Sequence, residues 1–133
     1  MNTMWRHTIG LLLILVLPML TQAQNSADLS KISSAIKNGN AKALSDHFDN
    51  SVEITILDKE STYSKSQAAG VVKNFFARNA PESFQIIHKG DSGGDSKYAI
   101  GKLSTSEGTF RTYIYVKRKG GVLLIQQLRF ERE

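Results

Sequence analysis

The side chains able to do chemistry are few and scattered. The chain has three histidines, His7, His47 and His88, and no cysteine. Without Cys there is no disulfide, no thiolate nucleophile, no iron–sulfur cluster and no Cys-ligated zinc. No H-E-x-x-H or H-x-H spacing brings two imidazoles to one ion. Asp46 and Asp49 flank His47, but neighbouring helical positions point in different directions, so no shared metal is expected. No cofactor is expected either, because G-x-G-x-x-G and P-loop patterns are absent. The run Gly90-Asp91-Ser92-Gly93-Gly94-Asp95 reads as a hairpin turn. No G-x-S-x-G elbow presents a serine nucleophile. Acid–base chemistry needs a carboxylate facing a Tyr or a second acid in one pocket. The candidates are Asp46, Asp49, Glu53 and Tyr63. Asp46 and Asp49 sit where Asp is ordinary turn chemistry. Glu53 alternates with Val52 and Ile54 and so points away from the side they bury. No dyad emerges, and no catalytic residue is assigned.

Charge offers one more surface. The 133 residues carry a net charge of +5. Lys117-Arg118-Lys119 forms a basic hairpin tip, with Lys102 and Arg111 on neighbouring strands. Such a patch suits an anionic surface. Nucleic acid is not expected, because the N-terminus reads as an export signal. Arg6 precedes an apolar run from Ile9 to Leu20, Pro18 breaks that run, and Thr21-Gln22-Ala23 supplies small residues at a cleavage site. About 12 apolar residues are too short for a membrane span, which takes roughly 20. The expectation is a signal peptide over 1–23, cleavage near Ala23, a periplasmic or secreted product, and a single domain over 24–133.

The elements that must position these groups follow from periodicity. Asp28 can cap a helix with stripe Leu29, Ile32, Ala35 and Ile36, closed by Gly39 in a left-handed cap. Asn40 can cap a second helix carrying Ala43, Leu44 and Phe48. Val52 to Ile56 alternates as a half-buried strand, and Asp58 to Ser61 reads as a turn. Ser64 and Gln67 form a capping box for a third helix with stripe Ala68, Val71, Val72, Phe75 and Phe76. Gly70 inside it weakens the helix by about 1 kcal/mol and leaves room for close packing. Beyond Pro81 four strands follow, joined by short glycine turns in an antiparallel meander.

The signal segment ending TQAQ, the stretch LSKISSAIKNGNAKALSDHFDNSVEITI, the helix KSQAAGVVKNFFARN and the final LLIQQLRFE carry a specific resemblance. The sequence resembles the DUF4783 family of small exported Bacteroidetes proteins, within the NTF2-like superfamily. The resemblance implies an α+β cone. Three N-terminal helices would pack on a curved antiparallel sheet in the order ααβαββββ. It assigns no activity, since this fold hosts enzymes, carriers and adaptors alike.

Alternation along the strands sorts the faces. In the last strand Val122, Leu124, Gln126, Leu128 and Phe130 are expected to face the helices. In the preceding strand Phe110, Thr112, Ile114 and Val116 do so, while for Ala99, Gly101 and Leu103 the pattern leaves the side open. The pocket candidates are therefore Tyr63, Phe76, His88, Thr112 and Gln126. On the outer face Tyr113, Tyr115, Leu123 and Ile125 make the expected homodimer surface. The main expectation is a non-catalytic domain that binds a small apolar ligand or a partner protein in the cell envelope. Two alternatives stand beside it: an isomerase- or hydrolase-like enzyme with an acid/base pair in the cone, and an envelope interaction module using the outer sheet face.

Overall fold

A computed structural model describes residues 24–133. Residues 1–23, and with them the expected signal segment, lie outside the described residues. No helix among the described residues is long and apolar enough to cross a membrane.

Three helices and six strands make an α+β fold. Helix α1 covers residues 24–37, followed by α2 (Ala41–Ser45), β1 (Phe48–Ile56), β2 (Lys59–Ser64), α3 (Lys65–Arg78), β3 (Pro81–Asp91), β4 (Ser96–Thr105), β5 (Gly108–Lys119) and β6 (Val122–Arg132). The strands form one sheet in the order β2-β1-β6-β5-β4-β3. All pairings are antiparallel except β1 with β6. The order is ααββαββββ, one strand more than expected. The chain reverses at Leu57-Asp58, so Lys59 to Ser64 pairs with β1 instead of forming a turn.

The helix boundaries follow the local chemistry. Gly39 has φ +62°. The Asn40 N–H donates to the Ala35 carbonyl at 2.9 Å and the Gly39 N–H to the Ile36 carbonyl at 3.0 Å, which is the two-bond closure of a Schellman motif. The Asn40 side chain accepts from the Ala43 N–H and caps α2. Ser64 and Gln67 complete a reciprocal capping box on α3. Asp28 is not a cap. It lies inside α1, 4% exposed, and its carboxylate accepts the Leu123 N–H at 3.2 Å, fastening α1 to β6. Gly70 does not serve close packing. It is exposed, and an added Cβ would meet nothing within 4 Å.

The helices cover one face of the sheet. Ile32, Ile36, Leu44, Val72 and Phe75 meet Ile54, Leu103, Phe110, Ile114, Leu128 and Phe130 in a single core. Gly101 faces inward as well. A Cβ there would lie 2.3 Å from the Phe84 ring, so the ring occupies the place of a side chain.

Register shifts on β6 and β3 curve the sheet and reset its phase. On β6 the register passes from Tyr115↔Gln127 to Val116↔Ile125, leaving Gln126 as the extra residue. Leu128 and Phe130 face inward as alternation predicts, but before the bulge the odd residues do so. Leu123 and Ile125 are 1% and 0% exposed, and Leu124 is only partly buried. On β3 one such shift lies between Ile86 and His88. It leaves Ile87 52% exposed.

The bulge on β6 makes a direct stability test. Ile125→Ala should cost about 2–5 kcal/mol, as a truncated core residue does, and Leu124→Ala about 1 kcal/mol or less. Urea denaturation of the two variants measures both. Equal losses, or the reverse order, would refute the bulged phase.

Candidate functional site

A cavity of about 920 Å³ opens between α3, the β1–β2 turn, the β4–β5 turn and the end of β6. Its wall on α3 is one helical stripe: Val71, Asn74, Phe75 and Arg78 recur at spacings that share a face. Ile54 and Ile56 come from the inner face of β1, Tyr63 from β2 and Phe110 from β5. The lining is thus apolar and aromatic at depth. The rim is charged, with Asp58, Lys59, Arg78, Glu107 and Arg132 all exposed.

The rim is held in place by specific contacts. Leu57 has φ +57°, a left-handed conformation that costs an L-residue roughly 1–2 kcal/mol. Its N–H donates to the Phe130 carbonyl at 2.9 Å, which ties the β1–β2 turn to β6. Its side chain is 44% exposed at the cavity edge. Arg132 lies over the Phe110 ring at 4.8 Å from the centroid, and its Nη1 donates to the Glu107 carbonyl at 2.9 Å. Gly108 leaves space for this guanidinium, since a Cβ there would sit 3.0 Å from Nη1. Asn79 closes α3 beside the rim, its side chain and N–H both donating to the Phe75 carbonyl.

Of the five residues expected in a pocket, Tyr63 lines this cavity. Phe76 is packed in the core, 6.2 Å from Phe130. Thr112 faces inward and is fully buried, its hydroxyl without a partner among the described residues. His88 is turned outward by the β3 bulge and is exposed, its Nε2 2.9 Å from the Tyr98 hydroxyl. Gln126 is turned outward by the β6 bulge and donates to Asp49 at 2.9 Å. The expected outer face is corrected by the same bulge, because Leu123 and Ile125 lie in the core. Tyr113 and Tyr115 remain on it, partly exposed. Arg111 and Arg129 flank the Tyr113 ring at 5.5 and 5.7 Å. Sequence reasoning missed Leu57, Arg78 and Arg132. An apolar residue in a turn was the available signal for Leu57.

The carboxylates considered for acid–base work do not meet in the cavity. Asp46 is exposed at the end of α2. Asp49 accepts from Lys119 at 2.6 Å, from Gln126 and from the Asn50 N–H. These bonds, led by that from Lys119, bring its carboxyl down to about 2. Glu53 is on the outer face, diagonally across from Glu60 in the β1–β2 ladder. Their hydrogen bond and a partly desolvated position hold Glu53 above the usual carboxylate range. Burial lowers the His47 imidazole, and the nearby Asp28 partly offsets this. Among the described residues no three His, Asp or Glu side chains group to hold a metal.

The profile of DUF4783, a domain of unknown function, matches residues 29–131. The chain belongs to the DUF4783 family. Its fold is similar to the crystal structure of a DUF4783 protein from Bacteroides ovatus ATCC 8483. The two are 26% identical over 77% of this chain and 93% of that one, with a TM-score of 0.74. A DUF4783 structure from Bacteroides uniformis ATCC 8492 is 27% identical over 78% and 95% of the two chains, with a TM-score of 0.75. An NTF2-like protein of unknown function from Shewanella baltica OS155 shares 14% identity over 86% and 95%, with a TM-score of 0.64, and so shares the fold. No curated protein matches the chain.

The Asp49 cluster gives this DUF4783 protein a defined acid sensitivity. A folded-state pKa below the unfolded value of 3.8 adds stability above that pH, and the gain is lost as pH falls towards about 2. The contribution is on the order of 1 kcal/mol, because Lys119 stays half exposed to water. Asp49→Asn should lower the melting temperature at neutral pH and flatten its decline between about pH 4 and about pH 2. Parallel melting curves for wild type and variant across this range would contradict the assignment.

Proposed function

We propose that this protein is an exported binding domain of the cell envelope that takes a small, largely apolar molecule into its cavity. One observation carries the reading. The cavity is walled by Ile54, Ile56, Tyr63, Val71, Phe75 and Phe110, yet it is not filled by side chains. Its volume is in the range of sites for small organic ligands, and such sites combine apolar walls with a few polar groups.

Two further facts support it. Leu57 spends conformational energy to place an apolar side chain at the cavity mouth, and strain of this kind clusters at ligand clamps. None of the carboxylates considered for acid–base work, Asp46, Asp49 and Glu53, lines the cavity, which favours binding over catalysis. Export rests on the leader pattern of residues 1–23.

Native mass spectrometry of the protein recovered from its host's envelope tests both parts. The expected result is a chain beginning at Gln24 that carries a stoichiometric small-molecule adduct. Val71→Trp, which fills the cavity, should abolish uptake of the neutral dye Nile red while the circular dichroism spectrum stays native. Leu57→Gly, which relieves the turn, should weaken uptake without lowering the melting temperature. Dye uptake unchanged in both variants would rule out the cavity as the site.

A further inference from the structure

Resting on that reading, we infer that the ligand is an amphiphile with an anionic head, its tail against Phe75 and Phe110 and its head between Arg78, Lys59 and Arg132. The cavity is asymmetric in charge and in partnering. Its depth offers apolar side chains, and its rim offers three cations. Among the described residues the side chains of Lys59 and Arg78 make no hydrogen bond or ion pair. They stand on opposite walls, one at the start of β2 and the other in the last turn of α3. Arg132 is preorganised by Phe110 and by one bond to the Glu107 carbonyl. A guanidinium has five N–H donors, so most of its fork is left for an acceptor. The two rim carboxylates, Asp58 and Glu107, make no ion pair with these cations.

A neutral apolar ligand would leave this rim without a function. A carboxylate or phosphate head would receive charge-assisted hydrogen bonds, which are stronger than neutral ones. Because an Arg fork matches two oxygens at once, the head is one that presents at least two oxygens.

Competition against bound Nile red decides the matter. Dodecanoate, dodecyl phosphate and dodecanol share a tail and differ in the head. Dodecanoate or dodecyl phosphate should displace the dye at about tenfold lower concentration than dodecanol, the worth of one charge-assisted hydrogen bond. The tighter of the two identifies the head as carboxylate or phosphate. The double variant R78Q/R132Q should lose this preference and keep its affinity for dodecanol. R132K, which preserves charge but not the fork, should retain part of it. Equal displacement by all three ligands, or an anion preference undiminished in R78Q/R132Q, overturns the anionic head but leaves the apolar site standing. No displacement by any of them overturns the apolar site itself.

Discussion

Phe75 is the contact on which the rest of the molecule depends. Its ring stacks on Phe130 at 4.3 Å and meets Phe110 edge-on at 5.1 Å. Offset and edge-to-face arrangements of this kind add to the plain burial of aromatic area. One side chain of α3 thereby joins β5 and β6. The same ring is part of the cavity wall. Helix position, sheet packing and cavity shape are therefore set by one set of contacts, and a change at Phe75 would disturb all three.

The bulge at Gln126 is the second constraint, and it acts through parity. A strand that alternates strictly would bury either the odd or the even residues of β6. The inserted residue lets β6 bury Leu123 and Ile125 before it and Leu128 and Phe130 after it. The exposed side of the insertion is not left idle. Gln126 donates to Asp49, and Lys119 reaches the same carboxylate from the end of β5. The bulge thus places its polar side chain in a cross-strand network that compensates for interrupted pairing. The Asp49 carboxylate sits against the bulge because β1 also shifts register beside it, between Phe48 and Glu53.

The bulges at Gln126 on β6 and at Ile87 on β3 explain which parts of the fold could be read from the residues. Caps at Gly39, Asn40 and Ser64 are local chemistry, decided within a few residues, and the structure places them as the sequence indicates. The inner face of β5 could also be read, because Phe110 to Val116 runs without interruption. The β6 face could not. VLLIQQLRF has apolar residues in both phases, and nothing local marks Gln126 as the inserted one. His88 was misplaced for the same reason, since Ile86-Ile87 offers two equally apolar choices for the inward position. The β1–β2 hairpin was hidden by composition: KESTYS is polar, as suits an exposed edge strand. The cavity rim was hidden by distance, because Leu57, Arg78, Glu107 and Arg132 come from separate elements that only the folded chain brings together.

The rim also shows how an apolar cavity can stay open. Apolar walls gain by collapsing onto one another, so something must hold the elements apart. Here the β1–β2 turn is pinned to β6 by the Leu57 N–H, at the expense of a left-handed leucine. Arg132 lies flat on Phe110 and is bonded to the β4–β5 turn, while Asn79 fixes the end of α3. Each of these devices uses backbone carbonyls as acceptors, which leaves the rim cations Lys59 and Arg78 without internal partners. A structure built only for stability would pair those charges and replace Leu57 with glycine. A strained apolar residue and unpaired cations at the edge of an apolar cavity are the features on which the proposed ligand site rests.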